Sequence, residues 1–145
     1  RLDSYLRGIR GVQPLAAPEA GSTHAYHLYI FRYFPEHFNG LSKARFVQAL
    51  EAEGIPASPG YGYPLYRNPV FLEKRFWPGG YPLTHGVHDP LDYAAFAETC
   101  PAAERACSSE IVWLPQSSLL AGPGDMEDVA DAVEKIRDCS KELVD

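Results

Sequence analysis

The chain has 145 residues, 46% hydrophobic and 22% charged, which suits one globular domain with a core of ordinary size and excludes a disordered or fibrous chain. The formal net charge is -6 and no Lys/Arg run offsets it, so a nucleic-acid surface is not expected. No apolar run approaches the roughly 20 residues of a membrane span, and the first residues lack a signal-peptide pattern, so a cytoplasmic protein with no membrane partner is expected.

The opening RLDSYLRGIRGV places Leu2, Tyr5, Leu6 and Ile9 at helical spacing and begins on Arg1 rather than on methionine. It is expected to start inside a helix, as a piece of a longer protein or a numbering that omits an upstream part. Gly11 and Pro14 end that helix, and the residues up to Ser22 read as a connector. In HAYHLYIFRYF, residues 24–34, Tyr26, Leu28, Ile30 and Phe34 alternate with Tyr29, Phe31 and Tyr33. Apart from Arg32, both sets are apolar or aromatic, which predicts a central strand covered on both faces.

Ser42 is a natural helix N-cap, Leu41 before it can staple to Phe46, and Gly54 offers a left-handed exit from a helix whose stripe is Phe46, Val47 and Leu50. The stretch GIPASPGYGYPLYRNPVF, Gly54 to Phe71, is broken by prolines yet too aromatic for a linker. PVFLEKRF then predicts a short helix with Pro69 in its first turn, and WPGGYPLTHGVHDP breaks all order. CPAAERACSSE reads as a short helix with Pro101 first, IVWLP as a buried strand. The last helix is expected to be capped by Asp125, with Met126, Val129, Val133, Ile136 and Leu143 on one face. The order predicts an α+β domain: a small, mostly antiparallel sheet with helices packed mainly on one face.

The chemistry of the side chains is sparse. Cys100, Cys107 and Cys139 are odd in number and lack CxxC spacing, which speaks against a disulfide framework or zinc site. His85, His88 and Asp89 could gather in a loop, but nothing nearby would orient the imidazoles, so solvated or capping roles are expected and no metal is assigned. His24 and His27, three apart on a strand, are expected to face opposite ways and to be structural. Cys100 starts a helix, where a thiol pKa falls, yet no histidine is close in sequence, so a capping or buried role is expected. Lys43, Lys74, Lys135 and Lys141 fall on helical positions expected to be exposed. No catalytic residue and no cofactor-binding residue is assigned. The loop from Gly54 to Phe71 has two readings: a rigid surface loop whose rings pack on the domain, or the wall of a binding site.

Taken together, the aromatic strand, the capped helix running into GIPASPGYGYPLYRNPVF, the CPAAERACSSEIVWLPQSSLL segment and DMEDVADAVEKI resemble the C-terminal small domain of the DegT/StrS-type sugar aminotransferases. These are pyridoxal-phosphate enzymes of the aspartate-aminotransferase fold, type I. The resemblance covers nearly the whole chain; Phe76 to Phe96 matches nothing sharp and corresponds to a variable excursion. It implies that residues 1–23 are the end of an interdomain helix and a connector, that 24–145 form the small domain, and that the catalytic large domain lies outside this chain. The Schiff-base lysine and most cofactor contacts belong to that large domain, so the isolated chain is expected to be inactive.

The implied activity is transfer of an amino group from an amino-acid donor to a keto sugar, nucleotide-linked, or to a cyclitol, in an enzyme that is a homodimer when full length. A sugar dehydratase on the same fold and a standalone binding module are the alternatives. In the loop, Gly60 and Gly62 permit close backbone approach, and Tyr61, Tyr63 and Tyr66 offer flat rings with hydroxyl tips suited to a polyhydroxylated ligand. Arg67 could clamp a phosphate or carboxylate. Pro59 and Pro64 bar a regular ladder, so packing is expected to set the loop's shape while ring edges and guanidinium project.

Overall fold

The aromatic run after His27 forms the middle strand of an antiparallel sheet ordered β1 (Val12–Pro14), β2 (Leu28–Tyr33), β3 (Ile111–Pro115), in a computed structural model that describes residues 1–75 and 91–144. Val12 lies opposite Tyr33, and Ile30 opposite Trp113. Beyond β3, Ser58 and Trp113 exchange both backbone hydrogen bonds, each 2.9 Å, in an isolated bridge. The chain divides into two units: Arg1–Gly60 with Ser109–Asp145, which holds the sheet, and Tyr61–Ser108.

The α+β class stands, with corrections of detail. Val12–Pro14, expected in the connector, is an edge strand. Val12 and Pro14 are buried and Gln13 exposed, an alternation too short to be read from three residues, and Pro14 is tolerated because an edge needs no second donor. β2 is central as expected, but its faces are unequal: Tyr29, Phe31 and Tyr33 are buried, whereas Leu28, Ile30 and Arg32 are half-buried. The reason is Arg32, whose guanidinium must stay near solvent and pairs with Glu110 at 3.0 Å while lying 4.7 Å over the Phe34 ring.

Against the buried face pack α1 (Leu2–Leu6), α2 (Lys43–Ala52) and α7 (Pro123–Asp138), and α7 lies along both α1 and α2. The shorter helices are α3 (Pro69–Leu72), α4 (Phe96–Thr99), α5 (Pro101–Arg105), α6 (Gln116–Leu119) and α8 (Ser140–Leu143). Helix α2 starts as expected: the Ser42 hydroxyl accepts from the Arg45 N–H, and Phe46, Val47 and Leu50 are buried. At the centre of the core, the Tyr33 and Phe46 rings stack at 4.2 Å, Phe38 stands edge-on to Phe46 at 5.2 Å, and the Tyr33 hydroxyl donates to the Leu41 carbonyl.

Helix α7 begins two residues before the expected cap. Gly122 is the N-cap and Pro123 the first residue; Asp125 sits in the first turn, where its carboxylate accepts the Gly122 N–H at 2.6 Å. Nor is the C-terminal helix continuous. The buried Ser140 hydroxyl donates to the Arg137 carbonyl at 2.6 Å and accepts from the Asn39 amide at 2.7 Å, so a side chain takes over where the helical ladder stops, and α8 starts afresh.

Tyr29 fastens β2 to α1 by donating its hydroxyl to the Asp3 carboxylate at 2.5 Å. Burial, then this hydrogen bond, push the Tyr29 phenol well above its ordinary value, and burial does the same for Tyr33. The folded state thus holds these protons more tightly than the unfolded state. Their stabilisation is fully present below the ordinary tyrosine pKa of about 10 and is lost as pH rises beyond it. We expect urea midpoints to fall between pH 9 and pH 11, and Tyr29→Phe to lose about 1.5–3 kcal/mol at pH 7 while flattening that alkaline decline. An alkaline slope identical in wild type and variant would contradict the assignment.

Candidate functional site

The loop from Gly54 is anchored in the sheet-bearing unit before it reaches its tyrosines. Gly54 leaves α2 at φ +84°, and Ser58 makes the bridge to Trp113. Lys43, expected exposed, is buried: its stem lies in the first turn of α2 and its Nζ donates to the Pro59 carbonyl at 2.8 Å. Gly60 adopts φ +72°, and a Cβ there would come within 3.1 Å of the Trp113 indole, so no larger residue fits without strain. The close approach expected of Gly60 is thus made to the protein's own indole. Gly62 has open space around it.

In the second unit, Tyr61 is 72% exposed and Tyr63 47%, while Tyr66 is half-buried. Pro64 leads into a single 3-10 turn, Leu65–Arg67, and Asn68 caps α3 by accepting the Val70 N–H at 3.0 Å. That turn directs Tyr66 and Arg67 to one point. The Tyr66 hydroxyl donates to Glu104 Oε1 at 2.7 Å, and Arg67 Nε donates to the same oxygen at 2.8 Å. The guanidinium therefore does not project freely, as the sequence led us to expect; it is held along its Nε edge, with the side chain 49% exposed.

Behind this corner the rings form a row: Tyr66 to Phe96 at 5.8 Å, Phe96 to Tyr93 at 5.6 Å, Tyr93 to Phe71 at 5.1 Å. Partial burial of the ring, then the bond to Glu104, push the Tyr66 phenol up to about 12. It is a neutral donor across the whole physiological range. Glu104 sits on α5, whose first residue is Pro101, and sequence reasoning missed it. The CPAAER motif showed a helix start, but nothing in its spacing shows which distant residue its carboxylate meets.

Other residues singled out from sequence fall as follows. The His85, His88 and Asp89 group lies outside the described residues. His24 and His27 were expected on opposite faces; both instead line one cavity of about 290 Å³ with Asp3, Leu15, Tyr26 and Tyr29. Alternation does not reach them, because the strand begins only at Leu28 and Tyr26 turns the chain at φ +48°. Cys100 is half-buried at the N-cap of α5, with its sulfur 3.9 Å from the Thr99 hydroxyl. Lys135 ion-pairs with Glu53 at 2.7 Å, which holds its ammonium above the usual pKa. Among the described residues, no His, Cys, Asp or Glu group is arranged to hold a metal ion, and no helix is long and apolar enough to cross a membrane.

No family model matches the chain. It is 32% identical, over 90% of its length, to a Micromonospora echinospora protein named as an L-glutamine:3-amino-2,3-dideoxy-scyllo-inosose aminotransferase, of which it covers 30%. It is 29% identical, over 88% of its length, to the L-glutamine:2-deoxy-scyllo-inosose aminotransferase of Streptoalloteichus tenebrarius, covering 29% of that protein. Among solved structures, 3-amino-5-hydroxybenzoic acid synthase matches 93% of the chain at 27% identity and a TM-score of 0.66, and 31% of that structure is covered. The chain spans about a third of the length of these relatives.

Proposed function

We propose, taking as premise that the chain is the counterpart of the C-terminal small domain of the DegT/StrS-type sugar aminotransferases, that it forms the acceptor-side wall of an enzyme that transfers an amino group from glutamine to a keto cyclitol or a related keto sugar. The premise rests on sequence similarity along nearly the whole chain and on the shared fold. The names of the relatives favour amino transfer over dehydration and a cyclitol acceptor over other rings.

The cofactor that the resemblance implies for such an enzyme is pyridoxal phosphate, held through a lysine. Of the four lysines among the described residues, Lys43 is buried and donates to the Pro59 carbonyl, Lys135 is engaged by Glu53, and Lys74 and Lys141 are exposed. On that resemblance pyridoxal phosphate is assigned to the part of the relatives that this chain does not cover, together with the dimer that completes such enzymes. Within this reading, residues 1–23 lead in from that part while supplying α1 and the edge strand β1 to the sheet-bearing unit, and 24–145 form the rest of the small domain.

The observation that carries the assignment is the corner at Glu104. Tyr66 and Arg67 are fixed in direction by one carboxylate oxygen, and Tyr61 and Tyr63, earlier in the same loop, are exposed. A guanidinium held at its Nε edge, a phenol oxygen left to accept, and flat rings suit a polyhydroxylated ligand, which offers hydroxyls at its rim and C–H faces above and below. The chain's part is to orient the acceptor.

In the full-length protein, Arg67→Ala is expected to raise the apparent KM for the amino acceptor and to leave the half-reaction with the amino donor nearly unchanged. Loss of a charge-assisted hydrogen bond of about 1.5–3 kcal/mol corresponds to a fall of roughly tenfold to a hundredfold in acceptor kcat/KM. Equal damage to both half-reactions would point to lost folding or cofactor geometry. No effect on either would return the loop to a packing role.

A further inference from the structure

Glu104 does more at this corner than fill a gap between two donors. Its Oε1 accepts from both Tyr66 and Arg67, while among the described residues its Oε2 and both Nη groups of Arg67 have no partner. The Glu104 side chain is 25% exposed and that of Arg67 49%, so both side chains reach solvent. The corner therefore shows a fixed acceptor and fixed donors side by side, with the charges of carboxylate and guanidinium opposed.

A hydroxyl group both donates and accepts, and a pair of neighbouring hydroxyls can satisfy Oε2 and the Nη groups together. A phosphate or carboxylate near neutral pH only accepts. It would gain from Arg67 but would set its charge against Glu104, and that repulsion disfavours it.

We propose that Glu104 is the specificity-determining residue of this site, selecting a polyhydroxylated ring without negative charge over a phosphorylated or otherwise anionic one. The proposal rests on the reading of the loop as the acceptor wall and goes further by naming the charge class of the acceptor. Arg67, which the sequence alone offered as a phosphate or carboxylate clamp, becomes a hydroxyl clamp because its charge is already answered.

The test uses the full-length protein and two probes, scyllo-inosose as the uncharged ring and myo-inositol 1-phosphate as its anionic counterpart, with binding followed by calorimetry. Wild type is expected to bind the uncharged ring more tightly. Glu104→Gln should weaken scyllo-inosose about tenfold and tighten myo-inositol 1-phosphate about tenfold. Glu104→Asp keeps the charge but withdraws it by one methylene, and should weaken the first without tightening the second. The phenol of Tyr66, assigned by its loss in Tyr66→Phe, should titrate at lower pH in Glu104→Gln; the groups acting on it are Glu104, Cys100 and Arg67.

An unshifted Tyr66 titration, or a ratio of the two affinities unchanged by Glu104→Gln while Arg67→Ala weakens acceptor binding, overturns the proposal and leaves the acceptor wall standing. A wild type that prefers the phosphate also overturns it. If Arg67→Ala leaves acceptor binding untouched as well, the wall reading fails and the proposal falls with it.

Discussion

Replacing Gly11 by alanine is expected to destabilise the chain by about 2–5 kcal/mol, the sum of about 1–2 for a left-handed residue with a side chain and about 1–3 for overpacking. Gly11 has φ +97°, and a Cβ there would lie 2.6 Å from His37 Cβ and 2.6 Å from Phe38 Cε2. Neither neighbour is the end of a flexible side chain. His37 Cβ is tied directly to the backbone of the turn Pro35–His37, and the Phe38 ring is wholly buried against Tyr33 and Phe46. The Gly11 carbonyl also accepts the Phe34 N–H at 2.9 Å, extending the pairing of β1 with β2, so the backbone has no easy way to retreat. A fall in the urea midpoint at constant m-value would measure the loss. A change below about 1 kcal/mol would show that the turn yields and that the contact is softer than its distances.

Phe46→Ala should cost about 3–5 kcal/mol, the range for removing a fully buried aromatic ring and leaving the space unfilled. Phe46 is the ring on which α2 meets the sheet: it stacks on Tyr33 and receives Phe38 edge-on. Phe46→Leu, which keeps most of the volume, should lose roughly half as much. Because Phe38 touches Phe46 and also stands against the site of Gly11, the double variant with Gly11→Ala is expected to lose less than the two single losses together, since the cavity gives Phe38 room to move. Strict additivity would mean that the ring does not use the space.

Where the sequence spoke through local rules, the structure followed it. Ser42 caps α2, Phe46, Val47 and Leu50 are its buried stripe, and Met126, Val129, Val133 and Ile136 are buried along α7. Rules of this kind need a repeated pattern or a cap residue, and they failed where neither exists. β1 is three residues long, and α6 is a single turn whose QSSL sequence has no stripe. The start of α7 was misplaced because Asp125 bonds backward to Gly122, so it has a cap residue's chemistry without a cap residue's position.

The candidate site divides in the same way. Its aromatic and glycine content marked the loop, and the tyrosine and arginine types suggested what it could bind. The residue that organises them was not legible, because Glu104 meets Tyr66 from 38 positions along the chain, and only the path of the backbone brings it there. Lys43 was misjudged for a similar reason. Helical periodicity put it at the surface, whereas its target, the Pro59 carbonyl, lies 16 residues on in a loop whose course no periodicity describes.

The Ser58–Trp113 bridge has a bearing on how such a protein changes through descent. The chain leaves the sheet and returns to it at one knot of paired backbone, so the intervening residues form a ring whose ends are already tied. Chain statistics make such a ring cheap to enlarge: doubling its length adds only about 0.6 kcal/mol of closure entropy. Residues 61–108 therefore behave as a cassette to whose length the sheet is nearly indifferent. On the proposed function, a lineage acquiring a new acceptor can rewrite that cassette, Glu104 included, while Phe46, Tyr33 and Val133 go on holding the scaffold without having to change in step.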